Sequence, residues 1–141
     1  LKLDITAIEQ PDASWDVVIA YHILEHIVDD NKAMRELFRI LRPGGQVILQ
    51  VPLWPDRTEI YEDASITDRQ GRKKAFGQGD HVRRYSADGL RKRLEAAGFE
   101  VEAIDYLAQL DPELVQRHKL EGKFRKPQDQ RIWIARKPQR K

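Results

Sequence analysis

Residues 14–52 read "SWDVVIAYHILEHIVDDNKAMRELFRILRPGGQVILQVP", and the order of elements within this stretch decides the fold. Trp15–Ala20, "WDVVIA", is a compact run rich in β-branched residues, the pattern of a strand covered on both faces. "DDNKAMRELFRILRPGG" reads as a helix followed by its stop. Asp29 or Asp30 can accept from the free N–H groups of a first turn. Ala33, Met34, Leu37, Phe38 and Leu41 form one apolar stripe at helical spacing, and Arg39 and Arg42 suit the negative end of the helix dipole. Pro43 ends the helix and Gly44-Gly45 turns the chain. "QVILQVP" is the next strand, closed by Pro52. Two strands joined by a helix predict parallel neighbours with a crossover connection.

Outward from this unit the pattern continues. "LKLDI", Leu1–Ile5, reads as the end of a short strand, and residues 6–14 as a polar connection with a Pro-Asp turn signal. Residues 53–85 carry little periodicity; a connection of that length is usually functional or disordered. "SADGLRKRLEAAGF" gives a second helix, with Ser86 as N-cap, Leu90, Leu94 and Ala97 on one face and Gly98 as its stop. "FEVEAIDYL" and "RIWIARK" read as two further strands without a clear crossover helix between them, which points to antiparallel pairing. "DPELVQRHKLEG" reads as one short helix. No internal repeat is found. The expected class is α/β, one domain, with a mostly parallel sheet packed by helices.

Composition bounds the chemistry. The chain has 141 residues, 40% apolar and 34% charged, which fits one globular domain and argues against disorder. No apolar run approaches the length of a membrane span, so no membrane partner is expected. With no cysteine, disulfides, thiolate zinc sites, iron–sulfur clusters and cysteine nucleophiles are excluded. No signal peptide is visible and a cytoplasmic location is the default expectation, although the first residue is Leu1 rather than Met. Lys and Arg gather at Arg72–Lys74, Arg83-Arg84, Arg91–Arg93 and Arg136–Lys141, but the formal net charge is only +2. That excess is too small to make nucleic acid the expected main partner.

His22-x-x-Glu25-His26 has the letters of one class of zinc peptidase. His22 and His26, four apart, would share a helical face, with Glu25 as base and Glu95, Glu100 or Glu102 as a third ligand. That motif needs both histidines well inside a helix. Here a strand ends a residue or two before His22, so no metal is expected, and the stretch reads as the turn leaving the strand.

At greater length, residues 14–52 resemble the central part of the class I S-adenosylmethionine-dependent methyltransferases, whose members share segments like "FDVV…HVLEH…L.E..RVLKPGG…VP". "LDIT", Leu3–Thr6, matches a preceding strand end, and "FGQGDHVRRYSADGLRKRLEAAGFEV", Phe76–Val101, is similar to a segment found after the fifth strand of many bacterial members. The resemblance implies a partial Rossmann-like doubly wound sheet. This chain would supply strands three to seven of a seven-stranded methyltransferase fold, the last strand antiparallel. The family's Gly-rich cofactor loop has no counterpart here: Gly77-Gln78-Gly79 follows Phe76 in a polar segment, not a strand.

The resemblance also implies the cofactor and its residues. S-adenosylmethionine would be held by Asp4, whose carboxylate accepts from the adenine amino group, and by Ile5 through its backbone N–H; for Asp4 the alternative is a turn residue at a strand end. Ala20, Tyr21 and His22, at the end of the fourth strand, would line the methionine part. For His22 a purely structural role at a strand end stands beside this one. Trp54, Tyr61 and Tyr85 fall where the family contacts its acceptor, and His81 is the candidate general base. Alternatively, Asp80 pairs with Arg83 or Arg84 and "DHVRRY" orders the segment.

Two functions follow. In one, the chain is the carboxyl-terminal part of a methyltransferase, inactive alone, acting on a small-molecule acceptor. In the other, it is a non-catalytic half-domain that self-associates through the edge of its "WDVVIA" strand, because that strand lies in mid-sheet in the family and would be left with unpaired N–H and C=O groups.

Overall fold

The computed structural model describes residues 3–120 and 131–139. In chain order the elements are β1 (Trp15–Tyr21), a 3₁₀ turn (Leu24–His26), α1 (Asp30–Ile40), β2 (Leu41–Gln50), β3 (Tyr61–Glu62), α2 (Arg69–Phe76), β4 (Arg83–Arg84), α3 (Ala87–Ala96), β5 (Glu100–Asp105), a second 3₁₀ turn (Leu107–Gln109), α4 (Pro112–Arg117) and β6 (Arg131–Arg136). The main sheet has the order β1-β2-β6-β5. β1 and β2 are parallel, and β6 runs antiparallel to both of its neighbours. The expected α/β sheet, partial and Rossmann-like with an antiparallel last strand, is therefore present. The expected strand at Leu1–Ile5 is not formed over the described residues. Asp4 instead closes a turn, its Oδ1 accepting from the Thr6 N–H and hydroxyl at 2.8 Å each, and a local bond of that kind competes with strand pairing.

Residues directly opposite in paired strands share a face of the sheet. Val18, Ala20, Val47, Leu49, Val101, Ala103, Trp133 and Ala135 line one face by register. They form one core with Ala33, Met34, Leu37 and Ile40 of α1 and Leu90 and Leu94 of α3. Val17, Ile19 and Tyr21 point to the other face and stay 46%, 65% and 45% exposed. The expectation that "WDVVIA" is covered on both faces holds for one face only.

α1 begins where Asp29 accepts from the Lys32 N–H at 2.9 Å. It ends at Ile40, before Pro43, because Leu41 is already extended and pairs with Trp15. The Lys137 ammonium donates to the Phe38 and Leu41 carbonyls at 2.8 Å each, which occupies acceptors left open at the helix end. Gly45 sits where a Cβ would meet the Asp16 carbonyl oxygen at 2.9 Å, so glycine lets the irregular first part of β2 lie against the start of β1.

Residues 53–85 hold more structure than their sequence suggests. β3 and β4 pair as a two-residue antiparallel ladder. α2 is capped by Asp68, which accepts from the Gly71 N–H at 2.8 Å, and closes at Gly77 with φ 95°. Phe76 is the one buried residue of α2, so no apolar stripe announces the helix.

One buried cluster ties these pieces together. The Asp30 carboxylate is 1% exposed. It accepts from Arg93 at 2.5 and 2.7 Å and from the Tyr85 hydroxyl, and Arg83 Nε lies 3.6 Å away. Glu62 joins both arginines, at 2.9 Å to Arg83 and 2.6 Å to Arg93. Two carboxylates face two guanidiniums, so the charges balance, and α1, β3, β4 and α3 are linked. Burial, with the Asp30 charge acting in the same direction, pushes the Tyr85 hydroxyl pKa well above its ordinary value, so Tyr85 stays a neutral donor. Removing one partner of such a cluster strands a charge. Asp30→Ala is expected to lower the unfolding free energy by about 3–5 kcal/mol. Asp16→Ala, which breaks an exposed pair with Arg42, should cost under about 1 kcal/mol. Urea denaturation of the two variants checks the contrast.

Candidate functional site

The site grows from the chain leaving β1. Ala20 is buried in the core and Tyr21 is half-exposed. At His22 the backbone turns left-handed, φ 52°, while its N–H still donates to the Gln50 carbonyl at 2.9 Å. The 3₁₀ turn follows at once and buries Leu24 and Glu25. His22 and His26 therefore never share a continuous helix, and the peptidase geometry is absent. Glu95 lies 3.7 Å from Arg91, and Glu102 3.8 Å from Arg136. Glu100 sits opposite Arg136 on β5.

The segment before β4 docks onto this turn. The Val82 N–H donates to the Glu25 carbonyl at 2.9 Å. The buried Arg83 guanidinium donates to the carbonyls of Leu24 at 2.9 Å, of Ile27, and of Val28 at 2.8 Å. Asp80 does not pair with Arg83 or Arg84 as one sequence reading had it; its carboxylate lies 3.6 Å from His26 Nδ1. The docking sets His81 edge-on to His26, ring centroids 4.8 Å apart. Burial, and then the neighbouring His26, hold the His81 pKa below its ordinary 6.5. A general base must reach the proton it takes, and His81, 5% exposed, faces Glu25 and His26 instead of a surface.

Asp4 and Ile5 lie across from this turn. Together with Leu3, Ala7, Glu9, Gln10, Ile23 and Ile27 they enclose a hollow of about 1050 Å³. The segment carrying them is stapled to α1. Arg39 donates to the carbonyls of Ile8 and Gln10 at 2.8 Å each and to Asp12 at 2.6 Å. Glu36 accepts from the Ile8 N–H at 2.9 Å and from Arg39 at 2.8 Å. Reading Arg39 as a partner of the helix dipole missed this role, because the carbonyls it holds lie some thirty residues back. Asp4 is held below the ordinary carboxylate pKa, chiefly by the Thr6 backbone N–H and then by its hydroxyl.

Of the residues expected to face an acceptor, two remain at the surface. Trp54 lies under the Arg84 guanidinium, 3.6 Å from ring centroid to Cζ. Tyr61 contacts Phe76 at 5.7 Å and Arg57 at 4.8 Å. Tyr85 is fully buried with its hydroxyl on Asp30, so it offers an acceptor no surface.

The profile of the family described as "Methyltransferase domain" matches residues 2–104. The chain belongs to the methyltransferase domain family. Among curated relatives, a probable S-adenosylmethionine-dependent methyltransferase of Mycolicibacterium smegmatis is 38% identical over 92 residues, covering 65% of this chain and 31% of the relative. The 27-O-demethylrifamycin SV methyltransferase of Amycolatopsis mediterranei is 34% identical over 107 residues, covering 75% of this chain and 37% of the relative. Among solved structures, an S-adenosylmethionine-dependent methyltransferase from Mesorhizobium loti superposes with a TM-score of 0.61 at 15% identity, over 95% of this chain and 67% of that one. This methyltransferase domain thus spans about a third of the length of those two curated relatives.

The Glu36 staple gives the site a pH dependence. Hydrogen bonding from Arg39 lowers the Glu36 pKa from 4.5 to about 2. A carboxylate whose folded pKa is depressed adds stability above its unfolded value and loses it as pH falls through the folded one. The contribution should therefore be complete above 4.5 and fade toward about 2. In Glu36→Gln, thermal midpoints measured across that window should fall less steeply with acid than those of the parent.

Proposed function

We propose that the chain is the acceptor-facing part of a methyltransferase that moves a methyl group from S-adenosylmethionine to a small-molecule acceptor, in the cytoplasm. The family match over residues 2–104 carries this reading. The hollow beside Asp4 and Ile5 supports it, since doubly wound sheets bind ligands at the carboxyl ends of their strands. Asp4, kept ionised, suits the adenine amino group. Ile5, Ile23 and Ile27 offer apolar surface to a flat ring, and Ala20, Tyr21 and His22 would line the methionine end. S-adenosylmethionine, when bound, supplies a methyl group on a sulfonium leaving group. The chain's part is then to orient the acceptor and keep water out. Trp54 and Tyr61, stacked by Arg84 and Arg57, are the residues we assign to the acceptor. In the intact protein, Asp4→Asn keeps an acceptor for the Thr6 turn but removes the charge from the adenine side. It should weaken S-adenosylhomocysteine binding by about tenfold or more in calorimetry; unchanged affinity rejects the assignment.

A second reading rests on the open face of β1. Val17, Ile19 and Tyr21 leave apolar surface uncovered on an edge strand, and such edges template pairing. On this reading the chain alone is a non-catalytic module that self-associates through β1. Sedimentation velocity should then show the parent as an oligomer and Ile19→Lys as a monomer. A monomeric parent would dismiss it.

A further inference from the structure

Glu25, His26 and His81 bring their ligating atoms within 4.8 Å of one another. Glu25 is 2% exposed, and its Oε2 is buried with no hydrogen-bond partner. Its Oε1 lies 3.2 Å from His22 Nδ1 and 3.9 Å from His26 Nε2. His26 Nδ1 lies 3.2 Å from the Asp80 carbonyl. A carbonyl can only accept, so Nδ1 carries a proton, and Nε2 is the ring nitrogen that faces the carboxylate. His81 packs edge-on against His26, ring centroids 4.8 Å apart, and one of its ring nitrogens belongs to the cluster. A buried carboxylate oxygen without a donor, as at Glu25 Oε2, is costly, and two imidazoles stand beside it. A cation among the three offsets that cost.

We propose that Glu25, His26 and His81 form a binding site for one divalent first-row transition ion of the zinc type. Two imidazoles and a carboxylate suit such ions. The Asp80 backbone carbonyl orients the His26 ring as outer partners of metal-bound histidines do. With metal–ligand distances of about 2.1 Å, ligating atoms stand about 3.4 Å apart, so closure asks for side-chain rotation of about an ångström. The backbone is already fixed by Arg83 and by the Val82 to Glu25 hydrogen bond. The set differs from that of the peptidase pattern: Glu25 is a ligand here, His81 comes from a distant segment, and His22 is the exposed neighbour on the remaining side. The site lies beside the residues assigned to the methionine end, but its test needs no methyl donor and stands apart from the methyltransferase reading.

The metal-free chain is titrated with Co²⁺, followed by visible absorption, and then with Zn²⁺ in competition. One Co²⁺ per chain, displaced by Zn²⁺, is expected. Glu25→Gln and His81→Gln should each weaken binding by about tenfold or more; His118→Gln, at an exposed histidine outside the cluster, should leave it unchanged. Should the variants fail to fold, proton NMR of the parent still decides, because Co²⁺ must shift the ring resonances of His26 and His81 and spare that of His118. Substoichiometric uptake, or binding that ignores both substitutions, or unmoved His26 and His81 rings, overturns the proposal.

Discussion

Asp30 stands at the first turn of α1, almost without solvent, and its carboxylate is shared by Arg93, the Tyr85 hydroxyl and Arg83. A buried carboxylate is tolerable only when its charge is met and its lone pairs are occupied, so α1 and the segment from Arg83 to Arg93, more than fifty residues further along, must converge on this point. Arg83 then passes the constraint on. With its Nε turned toward Glu62, the rest of the guanidinium holds the carbonyls of the turn after β1. The placement of Glu25, His26 and His81 is therefore inherited from an electrostatic balance in the interior.

The reading of residues 14–52 was available in the letters because every signal there is local. The β-branched run and the apolar stripe sit within the elements they mark, whereas Pro43 and Gly44-Gly45 fall inside β2 instead of ending α1. The failures are equally physical. Asp29 and Asp30 are interchangeable as caps on paper; only the approach of Arg93, 63 residues along the chain, makes one a cap and the other a buried anchor. α2 hides because it buries a single side chain. Leu1–Ile5 alternates like a strand, yet over the described residues Asp4 satisfies itself with Thr6. At the site, the strand end at Tyr21–His22 was legible, but the meeting of His26 with His81 spans a separation that no spacing rule covers.

The sheet carries helices α1 and α3 on one face, while β1 presents apolar side chains on the other. The β-branched composition of "WDVVIA" is what a strand needs when both sides are dry, and the register with β2 places Ile19 level with Ile48. Sequence and environment therefore disagree at β1, where Val17, Ile19 and Tyr21 stay exposed.

His22 has a further consequence. Its left-handed backbone is a conformation that asparagine, aspartate and histidine tolerate better than other non-glycine residues. A β-branched replacement would add strain before any question of ligand contact arose, and glycine would relieve it while erasing the imidazole. Backbone shape alone thus narrows the residues that fit at this position to a handful of letters.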